Sequence, residues 1–171
     1  MRPGRGYGGL KSDELFAKAR ALKEPGLIRI VQNRMTVGNK GMLDEIRKKR
    51  CQGRVAATIP RDSRSGVPER EAVLQVRYAS YAVKRPQILN KVKTLPEAIA
   101  MHVIYVREEK PVKGKSPIEW FLVTSEPVNS TEEAYEYVGY YMQRWKIERF
   151  HYVLKSGCGI EKLQERSMEK T

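Results

Sequence analysis

Four side chains with complementary chemistry stand at fixed spacing near the end of the sequence: Tyr141, Arg144, Glu148 and Lys155. On a helical wheel at about 100° per residue, they fall within a sector of about 80°. A carboxylate can hold a divalent cation, and the cations beside it can bind phosphate oxygens. One interpretation of this pattern is therefore a helix face suited to phosphate chemistry.

The residues of this stripe leave a second interpretation open. A solvated helix face often carries pairs four residues apart, such as Arg144 and Glu148, each contributing about 0.2–0.5 kcal/mol. For an arbitrary helix this interpretation is the more common one. His151 lies on the same stripe, and no metal-ligating residue stands four positions before or after it. We therefore predict a structural or phosphate-side histidine rather than a metal ligand.

One long helix is predicted to position these side chains. Ser130 followed by Glu133 is a capping box, and nothing breaks the helical pattern before Gly157 and Gly159. The predicted helix has about 26 residues and is about 39 Å long. Its neighbouring apolar sector is predicted to face the core, and consists of Tyr140, Ile147, Phe150 and Leu154.

The segments before this helix alternate between strand-like runs and polar turns. Helices are predicted at 12–23 and 41–50, and LIRIV (27–31) and EWFLVTS (119–125) predict buried strands. Three further runs predict an antiparallel sheet: GRVAATI (53–59), AVLQVRYASYAV (72–83) and AIAMHVIYV (98–106). The chain is thus expected to be an α/β protein.

The positive charge is concentrated in the first hundred residues. Residues 1–100 carry 22 Lys and Arg against 9 Asp and Glu, whereas residues 101–171 carry 11 of each. A body this basic favours a polyanionic partner, most simply nucleic acid. The alternative is a basic protein without such a partner.

The apolar runs and the cysteines indicate whether the chain is a membrane, secreted or cytosolic protein. No apolar run approaches the roughly 18 residues of a membrane span, so no membrane partner is predicted. The first residues, MRPGRGYGGLKSD, lack the hydrophobic segment of a secretory signal. Cys51 and Cys158 lack metal-ligand spacing and are predicted to be free thiols in a reducing cytosol.

The spacing of the four side chains is the Y-R-E-K signature, which resembles the DDE transposases of bacterial insertion sequences, in the insertion-sequence-four family. The surrounding YMQRWKIERFHYVLKSGCGIE (141–161) is similar to that family's signature block. IEWFLVTSEPV (118–128) resembles the strand before it, and ELFAKARAL (14–22) resembles the helix after the second catalytic aspartate. The resemblance covers about residues 13–166.

This resemblance implies a cut-and-paste transposase that moves DNA by metal-dependent phosphoryl transfer. Glu148 matches the third catalytic acid, a ligand of Mg²⁺ or Mn²⁺. Trp120 and Trp145 match positions where a ring stacks with, or displaces, a flipped base. Three residues match positions that contact phosphates at the transposon end: Tyr141, Arg144 and Lys155. The implied partner is double-stranded DNA, and the implied location is the bacterial cytoplasm, in association with the nucleoid.

The implied fold is a partial ribonuclease H-like core with an antiparallel β insertion and a long signature helix. Residues 1–11 are expected to be a disordered segment unlike the family. Residues 12–50 are expected to supply a core helix, a strand and a short helix, and residues 51–118 the β insertion. Residues 119–171 are expected to supply the last core strand, the signature helix and a truncated C-terminal helix.

The sequence departs from the family pattern in its acids, because its only aspartates are Asp13, Asp44 and Asp62. Asp13 resembles a neighbour of the second catalytic acid, and the other two fall outside the expected catalytic strands. We therefore expect a truncated remnant that lacks the first two catalytic aspartates and is inactive alone. The alternative is a basic fragment that binds DNA or full-length transposase and interferes with transposition. A third alternative is an unrelated basic structural protein.

Overall fold

A computed structural model of the protein describes residues 27–61, 66–85 and 96–157. The predictions for residues 1–26 and 158–171, including the helix at 12–23, lie outside this part. The chain divides into two compact units, Met1–Tyr135 and Glu136–Thr171. The elements in chain order are β1 (Leu27–Ile30), α1 (Met42–Lys48), β2 (Gly53–Ile59), β3 (Arg70–Lys84), β4 (Ala98–Glu108), β5 (Glu119–Thr124) and α2 (Thr131–Gly157).

The strand predictions are confirmed, and two strands are longer than expected. β2 has the predicted bounds, since Pro60 follows it and lacks the N–H that a strand ladder needs. β3 and β4 each gain charged residues at their ends, among them Arg70 and Glu108. A hydrophobicity pattern stops before such residues, whereas the hydrogen-bonded ladder continues through them.

The five strands form one sheet in the order β1-β5-β4-β3-β2, and every neighbouring pair is antiparallel. The expected antiparallel sheet is thus confirmed. β1 pairs with β5 from Leu27 opposite Thr124 to Ile30 opposite Phe121. Strands from 12–50, 51–118 and 119–171 therefore share a single sheet, and the division of the chain at those boundaries stays a prediction.

Both faces of the sheet carry buried side chains. On one face α1 contributes Met42, Leu43 and Ile46 to a cluster with Val103, Tyr105, Phe121 and Val123. On the other face Leu74, Val76, Ile104 and Leu122 are fully buried. β5 has buried residues on both faces, each at most 6% exposed from Trp120 to Thr124. This confirms the prediction that EWFLVTS is covered on both sides.

The capping box at the start of α2 is confirmed. The Ser130 hydroxyl accepts a hydrogen bond from the Glu133 N–H at 3.1 Å, and the Glu133 carboxylate accepts one from the Asn129 N–H at 2.7 Å. One turn later, the Tyr135 hydroxyl accepts the Arg54 N–H at 2.9 Å. A Cβ atom at Gly53 would overlap that hydroxyl, so glycine permits the close approach of β2 to the first turn of the helix.

The prediction for the apolar sector of α2 is wrong where the structure describes it. Tyr140, Ile147 and Phe150 are 65%, 56% and 61% exposed, and the Leu154 side chain lies outside the described residues. The buried positions are Ala134, Val138 and Tyr141, on the opposite side of the helical wheel. The helix has two apolar sectors, and periodicity alone does not reveal which of them is buried.

Two smaller expectations concern membranes and thiols. In the described ranges no helix combines the length and apolar character needed to cross a membrane. Cys51 is a free thiol, as predicted, and its Sγ atom lies 3.0 Å from the Gly53 carbonyl oxygen. Cys158 lies outside the described residues.

His102 is a strand residue of β4, and its Nδ1 atom lies 2.6 Å from the Ser80 hydroxyl.

Candidate nucleic-acid interface

All four signature residues lie on one continuous helix, α2. The successive intervals between Tyr141, Arg144, Glu148 and Lys155 are three, four and seven residues. Each interval is close to a whole number of turns at 3.6 residues per turn, so the four positions share one side of the helix. The first and last are about 21 Å apart along the axis at 1.5 Å per residue. The backbone therefore has the one-sided arrangement expected from the sequence.

The described side chains of this stripe differ in exposure. Tyr141 is buried, with 6% of its surface exposed, whereas Arg144 is exposed. The side chains of Trp145, Glu148 and Lys155 lie outside the described part of the chain. The phosphate contacts, the catalytic acid and the base-stacking role thus stay predictions.

Trp120 lies in β5, opposite Val106 of β4. Its side chain is 3% exposed and belongs to the interior of the first unit. The sequence predicted a buried strand here, which is confirmed. The contact of Trp120 with a flipped base stays a prediction.

Asp44 is the only aspartate among the described residues, and it lies on α1 as expected. Its carboxylate accepts a hydrogen bond from the Asn33 side-chain amide at 2.6 Å and lies 3.6 Å from Arg47. Both contacts hold the carboxylate at the start of α1. Asp13 and Asp62 lie outside the described residues. Within the described ranges no three His, Cys, Asp or Glu side chains are grouped so that they could hold a metal ion.

An ionic cluster that was not expected from the sequence lies on the α1 face of the sheet. Arg47 donates two hydrogen bonds to the Glu119 carboxylate, both at 3.2 Å, and the Tyr105 hydroxyl donates a third at 2.6 Å. Burial raises the pKa of Glu119, but these hydrogen bonds outweigh it, so the pKa lies below its usual value. Burial also raises the pKa of Tyr105. At neutral pH the Arg47–Glu119 pair is therefore ionised, whereas the Tyr105 hydroxyl keeps the proton that it donates to Glu119.

Two stacked aromatic rings pack against the arginines of this region. The rings of Tyr105 and Phe121 stack with their centroids 4.7 Å apart. The Arg47 guanidinium lies 4.8 Å from the Phe121 centroid, and the Arg77 guanidinium 5.5 Å from that of Tyr105. Each guanidinium is attracted to the negative face of its ring. Two arginines are thus held in place by the sheet.

A row of polar residues crosses four strands beside this cluster. Arg54 of β2 is opposite Gln75 of β3, Gln75 is opposite Arg107 of β4, and Arg107 is opposite Glu119 of β5. We call these four residues the polar row. A signal for it existed in the sequence, because each strand has a polar residue near one end. The register that aligns them depends on pairing between distant segments, which the sequence did not reveal.

One comparison with known proteins bears on these observations. A sequence model of the family described as "Transposase DDE domain" matches residues 7–171. The match covers every strand of the sheet and the whole of α2. Transposases act on DNA, and this family generally uses divalent metal ions. The match covers far more than half of the chain, and so the chain belongs to the transposase DDE domain family.

Proposed function

We propose that this chain serves DNA transposition by placing the face of α2 that carries Arg144, Glu148 and Lys155 against the phosphate backbone at a transposon end. The observation that carries the proposal is the spacing of the signature residues on one uninterrupted helix. The family match supports it, because a transposase has DNA as its substrate. The concentration of positive charge in residues 1–100 supports the same partner.

The finer roles in this proposal follow the Y-R-E-K resemblance to the insertion-sequence-four transposases of bacteria. Glu148 is the third catalytic acid, and Tyr141, Arg144 and Lys155 bind phosphates. The sheet and α2 belong to a ribonuclease H-like catalytic core with an antiparallel β insertion. The exposed Arg144 is compatible with a phosphate contact. The buried Tyr141 would need its hydroxyl at the surface in order to make one.

The described residues do not fit a complete divalent-ion site. In-line phosphoryl transfer with two ions needs several carboxylates around both ions. Within the described ranges no such group exists, and Asp44 is held by Asn33 and Arg47. The described residues therefore do not by themselves support a metal-dependent step. What the helix itself supplies is a cationic surface that can orient a phosphate backbone.

We accordingly propose that the 171-residue chain lacks strand-cleavage activity alone. A second candidate role is that of a binding module, which occupies transposon ends or pairs with full-length transposase and so interferes with transposition. The basic charge of residues 1–100 favours this role, because it favours DNA binding whether or not a catalytic centre is complete. Interference would reduce transposition by a complete enzyme when both proteins are present.

Cleavage by the isolated chain is the simplest test of this proposal. Incubation with supercoiled plasmid and Mn²⁺ is expected to leave the plasmid supercoiled, since one carboxylate of the signature does not complete a two-ion site. The assay measures the nicked fraction on a gel, with Glu148→Gln as the matched control. Nicking that requires Mn²⁺ and disappears in Glu148→Gln would show that the chain assembles a complete centre.

A further inference from the structure

The α1 face of the sheet carries a concentration of cations that the proposed helix interface does not use. Six of them lie around the end of α1 and the polar row: Arg47, Lys49, Arg50, Arg54, Arg77 and Arg107. We call these six residues the basic surface. The carboxylates that contact them are Asp44, Glu109 and Glu119. Six cations against three carboxylates leave this surface positive.

The carboxylates fix arginines in position and do not neutralise the surface. Glu109 accepts hydrogen bonds from Arg54 at 3.0 Å and from Gln75 at 3.2 Å. Gln75 in turn accepts one from Arg77 at 2.9 Å. The chain of contacts continues to α1, because Arg77 also donates to the Lys49 carbonyl oxygen at 2.7 Å. The backbone of α1 and the row are therefore connected by hydrogen bonds.

Three cations of the basic surface have no carboxylate within ion-pair distance among the described residues. They are Lys49, Arg50 and Arg107, and all three are exposed. Lys49 caps the end of α1, where its N–H donates to the Ile46 carbonyl at 3.2 Å. Arg107 is fixed on β4 between Gln75 and Glu119. The charge of Arg107 helps to lower the pKa of Glu119 across the row, but no carboxylate is within ion-pair distance of any of the three in the described ranges, so each can take a phosphate oxygen as a partner.

We propose that the basic surface is a second binding surface for the phosphate backbone of duplex DNA, formed by the sheet and α1. This inference rests on the proposed function, since it assumes that the chain holds DNA. Neighbouring strands are about 4.8 Å apart, so Arg54 and Arg107 are about 10 Å apart across the row. A duplex carries one charge per about 1.7 Å of axis and can engage several such cations at once. Arginine also matches phosphate geometry with two parallel hydrogen bonds.

The test compares two triple variants with the same loss of charge. Lys49→Gln/Arg50→Gln/Arg107→Gln removes the three unpaired cations. Lys40→Gln/Arg61→Gln/Lys84→Gln removes three exposed cations that lie away from the polar row. Binding of a fluorescent duplex is measured by anisotropy between roughly 50 and 200 mM salt. The urea midpoint of each variant confirms that it is folded.

The first variant is expected to lower the slope of log K against log salt by roughly 2 to 3, at about 0.9 for each lost phosphate contact. The control variant is expected to keep the slope of the unmodified chain. If substitution of Arg107 disturbs the sheet, Lys49→Gln/Arg50→Gln alone is expected to lower the slope by roughly 2.

Several results would overturn the inference. A slope unchanged in the first variant, or lowered equally in the control, would remove the basic surface from the DNA interface. Binding of a polyglutamate chain that is lost in the first variant, with the duplex slope unchanged, would assign the surface to an acidic protein partner. Failure of the unmodified chain to bind duplex DNA would instead contradict the proposed function.

Discussion

Arg70→Met is expected to destabilise the protein by about 3–5 kcal/mol, the range for removing one partner of a buried ion pair. Arg70 opens β3 and donates a hydrogen bond to Glu108 at the end of β4. The Glu108 side chain is 1% exposed and also accepts the Ile118 N–H at 3.1 Å. Without Arg70, a carboxylate remains in the interior with only the backbone bond. A urea melt measures the loss.

Two controls separate the ion pair from a general effect of charge removal. Arg54→Met breaks the exposed pair with Glu109 and is expected to leave the urea midpoint nearly unchanged, because water replaces the lost contact. Arg70→Met/Glu108→Gln is expected to recover part of the stability lost in Arg70→Met, since the buried group is then neutral. An Arg70→Met protein that melts like the unmodified chain would contradict the account of this pair.

Trp120→Ala is expected to cost about 3–5 kcal/mol, as for other substitutions that empty a large aromatic site. The reason is its position: Trp120 is 3% exposed, between Glu119 and Phe121 of a strand that is buried on both faces. A urea melt of Trp120→Ala gives the value directly. A midpoint equal to that of the unmodified chain would mean that the indole contributes little to the interior.

Trp145→Ala provides the contrast, because the resemblance assigns Trp145 a role in handling a flipped base. That role predicts little loss of stability, but a loss of about 1–3 kcal/mol in binding an oligonucleotide with an unpaired base, the usual contribution of base stacking. Tryptophan fluorescence titration measures the binding. A Trp145→Ala protein that melts much earlier and binds DNA unchanged would assign Trp145 to packing.

Local patterns predicted the elements of this fold because their signals lie within a few residues. Ser130 and Glu133 placed the start of α2, and their side chains make the expected caps. The run GRVAATI (53–59) gave the bounds of β2, which Pro60 follows directly. The unbroken apolar run at 119–125 indicated a strand buried on both faces, as found. In each case the physics is local, so a single sequence was sufficient.

Long-range features were not predicted, because they depend on which distant segments meet. β1 pairs with β5 across most of the chain, and nothing in LIRIV identifies that partner. The buried pair of Arg70 and Glu108 had a partial signal, since Glu108 alternates in phase with Ile104 and Val106 and is therefore expected on their face of β4. The partner arginine and its register were not visible in the sequence.

The candidate site shows the same division. The helical spacing of the signature residues follows from the sequence, and one helix carries all four of them. Which side of that helix is buried does not follow from the sequence, since Tyr140 is exposed and Tyr141 is buried. The cluster of Arg47, Tyr105 and Glu119 was also missed, because it joins α1 to two strands through tertiary contacts.

A salt titration of duplex binding shows whether α2 holds DNA phosphates with Arg144 and Lys155. The measurement compares the unmodified chain with Arg144→Ala/Lys155→Ala, and with Lys110→Ala/Lys113→Ala as a control of equal charge in the loop after β4. The slope of log K against log salt is expected to fall by roughly 2 in the first variant and to stay constant in the control. An unchanged slope in Arg144→Ala/Lys155→Ala would contradict this role of α2 and leave the stripe as a solvated helix face.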